Sequence, residues 1–177
     1  MLVPKRILAI SGSTRENSVN ELILQWMARH YHTRLDITIY NRIAELPHFR
    51  SDLVDDRVPA EVKEFYRLIA EVDGVIICTP EYVFSLPGTF KNALEWTVST
   101  TLFTNKAAAL IVASSLGEKA FESLQLVMKT LGAQFQQDAT LLITGVKAKI
   151  NQQGALLDES LQPQFDLLVE SLVNSIA

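Results

Sequence analysis

The chain has 177 residues, of which 48% are hydrophobic and 20% are charged, and its formal net charge is −4 at pH 7. This length can close one full-size core without disulfides, and the weak negative charge argues against nonspecific nucleic-acid binding, which needs a basic surface. No stretch approaches the roughly 20 apolar residues that cross a membrane, and the first residues lack the apolar core of a secretion signal. We therefore expect a single domain over residues 1–177 in the cytoplasm, with no nucleic-acid or membrane partner.

Apolar runs typical of strands alternate with segments of helical periodicity along the whole chain. In chain order we predict strand 7–10, helix 18–32, strand 35–40, helix 59–72, strand 75–78, helix 87–96, strand 107–113, helix 118–131, a strand within 135–143 and helix 161–176. Pro87 suits a first helical turn, and Gly132 suits the left-handed residue after a helix. Because crossovers of this length carry a helix and join parallel strands, we predict a three-layer, doubly wound α/β fold with a five-stranded parallel sheet.

Function in such a sheet is expected beyond the carboxyl ends of the strands, where the strand order reverses. For the order 2-1-3-4-5 that point lies between the first and third strands. The loops after these strands are also the most distinctive segments of the sequence. The only cysteine, Cys78, lies in an apolar run and is predicted to be a small buried residue. The histidines His30, His32 and His48 are scattered, so we predict neither a catalytic side chain nor a metal site.

The loop after the first predicted strand reads SGSTRENSVN from position 11 and leads into a helix. The amino end of a helix offers unpaired N–H groups and partial positive charge, which suits a phosphate. Ser13, Ser18 and Asn20 can add donors, and Arg15 can add a bidentate charged contact. The loop lacks the glycine spacing of a dinucleotide fingerprint and the lysine of a Walker loop. Two alternatives remain open: Ser18 and Glu21 form only a capping box, and Arg15 is merely solvated.

The loop after the third predicted strand reads TPEYVFSLPGTFKNALEW from position 79. Two prolines stiffen it, and its aromatic and leucine side chains give it apolar surface. Backbone amides of a stiff loop can bind the edge of a flat heteroaromatic ring while side chains cover its face. The alternative is that the aromatic residues belong to the core, which we expect for Phe90 and Trp96 on the following helix.

These two segments resemble the NADPH-dependent FMN reductase family, which includes quinone, chromate and azo-dye reductases of flavodoxin-like fold. The family pattern G-S-x-R-x-x-S-x-N is matched at Gly12, Ser13, Arg15, Ser18 and Asn20. The pattern P-E-Y-N-x-S-x-P-G-x-L-K-N-A-(I/L)-(D/E)-W is matched from Pro80 to Trp96, with Val83 in place of asparagine and Phe90 in place of leucine. The resemblance covers essentially the whole chain.

The resemblance implies a flavodoxin-like fold with bound FMN and with NADPH or NADH as co-substrate. The residues implied to hold the FMN phosphate are Ser13, Arg15, Ser18 and Asn20. Those implied to border the flavin ring, in the loops after the third and fourth strands, are Pro80, Glu81, Tyr82, Val83, Ser115 and Gly117. It further implies ping-pong reduction of a flavin, a quinone or a similar small electron acceptor. A homodimer or homotetramer is also implied. In this sequence the helix 87–96 and the threonine-rich loop that follows it are candidates for the subunit contact.

Two departures from the family pattern bear on flavin binding. Val83 removes a polar side chain near the ring, and the loop from Ser114 to Glu118 has fewer glycines than is usual, which limits close backbone approach. Two other functions therefore stay open. One is a non-catalytic electron carrier like flavodoxin, and the other is a family member that has lost the flavin and serves as a binding module. The physiological acceptor and the choice between NADH and NADPH cannot be read from the sequence.

Overall fold

The computed structural model describes residues 3–176, in which five strands alternate with five α-helices. In chain order these are β1 (Lys5–Ser11), α1 (Val19–His30), β2 (Leu35–Tyr40), α2 (Ala60–Ala70), β3 (Gly74–Thr79), α3 (Gly88–Trp96), β4 (Ala107–Ala113), α4 (Glu118–Thr130), β5 (Thr140–Ile143) and α5 (Leu161–Asn174). None of the helices within this described range combines the length and the apolar character needed to cross a membrane.

All five strands pair in parallel, in the order β2-β1-β3-β4-β5. This confirms the predicted sheet and its strand order. At the carboxyl edge of the sheet, Ser11 of β1 is in register with Cys78 of β3. The two loops predicted to carry function therefore begin side by side.

Two helical layers bury the two faces of the sheet. Helices α1 and α5 cover one face and pack on Ile76 and Cys78 of β3, whereas α2, α3 and α4 cover the other and pack on Val75 and Ile77. Because both faces are covered, β3 and β4 are buried along their whole length, and residues 75–78 of β3 are apolar at every position. Burial raises the pKa of the Cys78 thiol well above its usual range, so this side chain stays protonated and inert.

Several helix ends differ from the predicted bounds. Helix α1 ends at His30, two residues before the predicted end, and Tyr31 closes it through a hydrogen bond from its N–H to the carbonyl of Met27. Pro59 and Pro87 lie just before the first residues of α2 and α3, because both have extended ψ angles, of 152° and 135°. The prediction that Pro87 occupies the first helical turn is therefore wrong by one residue.

The end of α4 confirms the role predicted for Gly132. This glycine has a φ of 86°, in the left-handed region that favours glycine. The N–H groups of Gly132 and Ala133 donate at 3.0 Å to the carbonyls of Lys129 and Met128, respectively. This is the Schellman arrangement, and it satisfies carbonyls that the helix leaves without partners.

Candidate functional site

The loops after β1 and β3 touch at the carboxyl edge of the sheet, and Gly12 allows this contact. Its N–H donates to the carbonyl of Cys78 at 2.8 Å. A Cβ atom at position 12 would lie 2.2 Å from Oγ1 and 2.5 Å from Cβ of Thr79, which is fully buried. Only a residue without a side chain fits at position 12. The sequence pattern contained this glycine, but its steric role becomes visible only when β3 lies beside β1.

The loop from Ser13 to α1 presents backbone donors to solvent. Within residues 3–176, no acceptor is within hydrogen-bond reach of the N–H groups of Thr14, Glu16, Asn17, Val19 and Asn20. The last two belong to the first turn of α1, where the helix dipole adds partial positive charge. The loop therefore has the donors and the sign of charge that a phosphate dianion needs.

Ser18 is the N-cap of α1, and its Oγ accepts the N–H of Glu21 at 3.2 Å. The reciprocal half of the predicted capping box is absent, because the Glu21 carboxylate instead accepts from Nδ2 of Asn41 at 2.9 Å. Capping uses only an acceptor site on the Ser18 hydroxyl, so its proton remains able to donate. The capping role and a phosphate contact are thus compatible at Ser18.

The other predicted phosphate contacts lie around the same loop. Oγ of Ser13 accepts the N–H of Arg15 at 3.3 Å, which folds the loop back on itself. Asn20 is buried, and its Oδ1 accepts from the thiol of Cys78 at 3.4 Å, which leaves the amide NH₂ group as a donor. The Arg15 side chain is exposed. The structure thus brings these side chains together at the start of α1.

Residues 82–85 form a tight turn in the loop after β3. The N–H of Tyr82 donates to the carbonyl of Ser85 and the N–H of Ser85 donates to the carbonyl of Tyr82, both at 3.0 Å. The central residues Val83 and Phe84 have φ angles of 51° and 55°, which makes this a type I′ turn. Their side chains are 95% and 71% exposed, and Tyr82 is 52% exposed. A β-branched residue in the left-handed region is unusual and strained.

Replacing Val83 with asparagine should stabilise the protein by about 1 kcal/mol, because asparagine tolerates the left-handed backbone that valine resists. Chemical denaturation of the ligand-free protein measures this change. Val83→Thr is the matched control, since threonine is polar but keeps the branched Cβ. If threonine stabilised the protein as much as asparagine does, the gain would come from a polar side chain at this position, and the strain account would be wrong.

The side chain of Glu81 points toward helix α4. Its Oε1 accepts the N–H of Gly117 at 3.2 Å, and its Oε2 accepts the N–H groups of Lys119 and Ala120, both at 2.9 Å. The carboxylate thus caps the amino end of α4. Pro80 is buried beside it, and the backbone N–H of Glu81 has no acceptor within the described part of the chain. The backbone of Glu81, and not its side chain, is available to the edge of a ring.

In the loop after β4, Ser115 is exposed to solvent whereas Gly117 is buried. The carbonyl of Ser115 accepts from Gly145 at 3.1 Å. Gly117 has a φ of 115°, and its N–H is already bound to Glu81. A Cβ there would also lie 2.8 Å from Cδ1 of Leu142, so a side chain is excluded. Gly117 therefore supports the loop, while Ser115 remains open to a ligand.

Comparison with known proteins identifies the family. The family model described as NADPH-dependent FMN reductase matches residues 5–147. The chain belongs to this family. A subunit of an NADH:(hydroxy)cinnamate reductase from Vibrio ruber is 34% identical over 172 residues, covering 94% of this chain and 84% of that one. Subunit 2 of an NADH-dependent flavin reductase from Lactobacillus johnsonii is 40% identical over 94 residues, covering 53% of this chain and 49% of the other.

The fold of this FMN reductase is shared with solved structures. The flavoenzyme NAD(P)H:(acceptor) oxidoreductase of Paracoccus denitrificans superposes with a TM-score of 0.78 at 24% identity, and the match covers 98% of this chain and 100% of that one. Together with the family match, these relatives confirm the prediction of an NAD(P)H-dependent flavin oxidoreductase with a flavodoxin-like fold and FMN as its cofactor.

The residues of this FMN reductase fit the cofactor of its family. The unpartnered N–H groups before and within the first turn of α1 match a phosphate in charge and in hydrogen-bonding character. The free N–H of Glu81 and the apolar side chains of Tyr82 and Val83 match the polar edge and the flat face of the ring. Gly12 keeps the start of the loop after β1 in direct contact with the end of β3.

The part of the P-E-Y pattern that lies on α3 stabilises the fold. The side chain of Asn92 accepts the N–H of Phe49 at 2.7 Å and donates to the carbonyl of Pro47 at 3.0 Å. Nε1 of Trp96 donates to the same Pro47 carbonyl at 2.7 Å. These bonds hold the connection between β2 and α2 against α3. Phe90 and Trp96 are buried, which confirms their expected place in the core.

Residues after β5 also border the loop from Ser13 to α1, and no sequence motif pointed to them. A depression beside α1 is lined by Arg15 and Asn17 on one side and by Lys147 and Asn151 on the other. Lys147 adds a second cationic side chain to this edge of the loop. More than a hundred positions separate the two sides in the chain, so no local motif links them.

Proposed function

We propose that this FMN reductase transfers two electrons from NADPH or NADH to a quinone, a free flavin or a similar small acceptor, in ping-pong order. The observation that carries the proposal is the loop of unpartnered backbone donors at the start of α1, which lies beside the stiff loop after β3. When bound, FMN supplies the redox chemistry, taking a hydride from the nicotinamide and passing two electrons to the acceptor. The protein supplies binding and orientation.

The side chains around α1 are proposed to hold the phosphate. Arg15 supplies charge, Ser13 and Ser18 supply hydroxyl protons, and Asn20 supplies an amide donor from its buried position. The anchor on Cys78 fixes the Asn20 side chain relative to β3. The phosphate end of the cofactor would thereby be placed relative to β3. We call the loop from Ser13 to α1 the phosphate loop, and the loop 80–87, into which β3 leads, the ring loop.

The loops after β3 and β4 are proposed to border the ring. Pro80 and the backbone of Glu81 would meet its edge, and Tyr82 and Val83 would contact it with Ser115 nearby. The exposure of Tyr82, Val83 and Phe84 supports an open face on one side. An open face serves the nicotinamide and the acceptor in turn, because the two cannot stack on it at once. This supports the ping-pong order.

Anaerobic absorbance of the FMN-loaded protein tests the proposal. We expect a yellow complex that NADPH or NADH bleaches, and whose colour returns when a quinone is added in the absence of oxygen. Each turnover converts one NAD(P)H, one proton and one quinone into one NAD(P)⁺ and one hydroquinone. A complex that stays yellow with both nicotinamides would instead indicate an electron carrier. A protein that never takes up flavin would indicate a binding module.

We also propose that the protein forms a homodimer or homotetramer through the outer face of α3 and α4. A groove there is lined by Leu94, Val98, Leu126 and Leu131, and both Val98 and Leu126 are exposed. Exposed apolar grooves on surface helices are typical of subunit contacts. Sedimentation velocity should detect the oligomer, and Leu126→Lys should shift it toward the monomer. A wild-type monomer at high concentration would contradict the proposal.

The proposed chemistry supports a cytoplasmic location. The reaction consumes NAD(P)H, which is a coenzyme of the cell interior. The lone thiol of Cys78 is buried and free, which is compatible with a reducing compartment. Fractionation of the cells that make the protein checks this expectation, and recovery outside the cytoplasm would contradict it.

A further inference from the structure

Glu81 is the one acidic side chain of the ring loop, and the structure directs it at helix α4. Its two carboxylate oxygens accept three backbone N–H groups, from Gly117, Lys119 and Ala120. Helix α4 has no cap of its own, because the residue before it is Gly117, which has no side chain. A carboxylate at this position pairs with unpartnered N–H groups and with the positive end of the helix dipole.

We propose that Glu81 is a positioning residue that fixes the ring loop against α4 and thereby sets where the loop backbone meets the flavin. The proposal rests on the function proposed above. With both oxygens turned toward α4, the carboxylate is not placed to exchange protons with a substrate. The same residue offers its backbone N–H on the side of the ring. The side chain of Glu81 thus caps α4, while its backbone N–H remains free to bind the flavin.

The strained turn next to Glu81 needs such a restraint. Val83 and Phe84 hold left-handed φ angles, although their exposed side chains gain almost no packing there. Strained backbone persists only where the surrounding structure determines it from outside. Leu86 and Pro87 are buried and hold the loop at its far end. Glu81 holds the near end, since α4 is itself anchored to the sheet through Ala120, Leu124 and Met128.

The anchor also links two loops that border the ring from different strands. Glu81 follows β3, whereas Gly117 follows β4, and the two positions are 36 residues apart in the chain. The loop after β4 is tied in turn to β5, because the N–H of Ser114 donates to the carbonyl of Ile143 at 3.1 Å. Removing the carboxylate would free the ring loop and leave α4 with unsatisfied donors. The phosphate loop, which has its own cap at Ser18, would be unaffected.

This separation gives a specific expectation for ligand binding. Glu81→Ala should weaken FMN and riboflavin by the same factor, about 10- to 100-fold, because hydrogen bonds to a charged group are lost on the ring side only. Glu81→Gln should be intermediate, since its amide retains one acceptor oxygen. The visible spectrum of flavin bound at saturation should also shift in Glu81→Ala. The matched control is Glu118→Gln, which removes the same charge from the first turn of α4 without removing a hydrogen bond.

Fluorescence titration with both flavins and amide exchange of the flavin-free protein test the proposal together. We expect faster exchange of the Lys119 and Ala120 amides in Glu81→Ala and no change in Glu118→Gln. An unchanged flavin affinity in Glu81→Ala, or a loss confined to FMN, would overturn the positioning role. Unchanged amide exchange would overturn the cap itself. If the wild-type protein bound neither flavin, the proposed function would fail, while the exchange result would still decide whether Glu81 caps α4.

Discussion

Replacing Arg15 with alanine should weaken FMN binding by about 10- to 100-fold and leave riboflavin binding nearly unchanged. The two ligands differ only in the phosphate, and a charge-assisted contact to a phosphate is worth roughly 1.5–3 kcal/mol. Arg15 is exposed, and no carboxylate within residues 3–176 forms an ion pair with it, so its charge is available to an anion. Titration of the ligand-free protein with each flavin gives the two dissociation constants.

Arg57→Ala is the matched control for Arg15. Arg57 is also exposed, but it lies in the connection between β2 and α2 and not in the loop that leads into α1. Its removal should change neither affinity by more than about twofold. Added salt should weaken FMN binding in the wild-type protein and have less effect in Arg15→Ala, because screening acts on the charge that was removed. Equal losses for FMN and riboflavin in Arg15→Ala would mean that Arg15 does not contact the phosphate.

Replacing Gly12 with alanine should cost about 3 kcal/mol of the free energy of unfolding and should abolish flavin binding. The new Cβ would lie 2.2 Å from Oγ1 and 2.5 Å from Cβ of Thr79, in a region with no free volume. Relief requires moving β1 and β3 apart at their carboxyl ends, which is costly in a close-packed core. The same movement separates the phosphate loop from the ring loop. Urea denaturation and FMN titration measure the two effects.

Two further variants separate this clash from a general cost of removing glycine. Gly88→Ala is the control, since nothing lies within 4 Å of the added Cβ at the start of α3, and it should be neutral or slightly stabilising. Thr79→Gly removes the atoms that the new methyl group meets first. Adding it to Gly12→Ala should therefore restore part of the lost stability, as a favourable coupling in a double-mutant cycle. Strict additivity would show that the destabilisation has another cause.

The sheet and the two loops of the candidate site were predictable because their signals are local. Runs such as residues 75–78 are apolar at every position, and this identifies a strand buried on both faces without knowledge of its neighbours. Strand order then places the loops after β1 and β3 together. The hydroxyl, amide and guanidinium groups of the first loop also indicate anion binding from sequence alone. Helix ends were less certain, and Pro87 illustrates why, since a proline suits both the N-cap and the first turn.

The conformation of the ring loop could not be predicted. A tight type I′ turn is normally recognised by Asn-Gly or a similar pair, and Val83-Phe84 carries no such signal. In our proposal, contacts at both ends of the loop restrain these backbone angles. The hydrogen-bond partners of the Glu81 carboxylate were equally unpredictable, because a glutamate in a loop can reach any of several helices. The hydrogen bonds of Asn92 to the segment at Pro47 span 45 residues and have no sequence signature either.

By itself, then, the amino-acid sequence determined the α/β architecture, the two loops of the candidate site and the donor groups proposed for the phosphate, because periodicity and residue type act over a few neighbouring positions. Only the tertiary structure decided that position 12 tolerates no side chain, that the carboxylate of Glu81 caps the amino end of α4, and that Val83 adopts a left-handed backbone. These features arise where β1, β3 and β4 end side by side. Steric exclusion and hydrogen-bond partners there are set by atoms that lie far away along the chain.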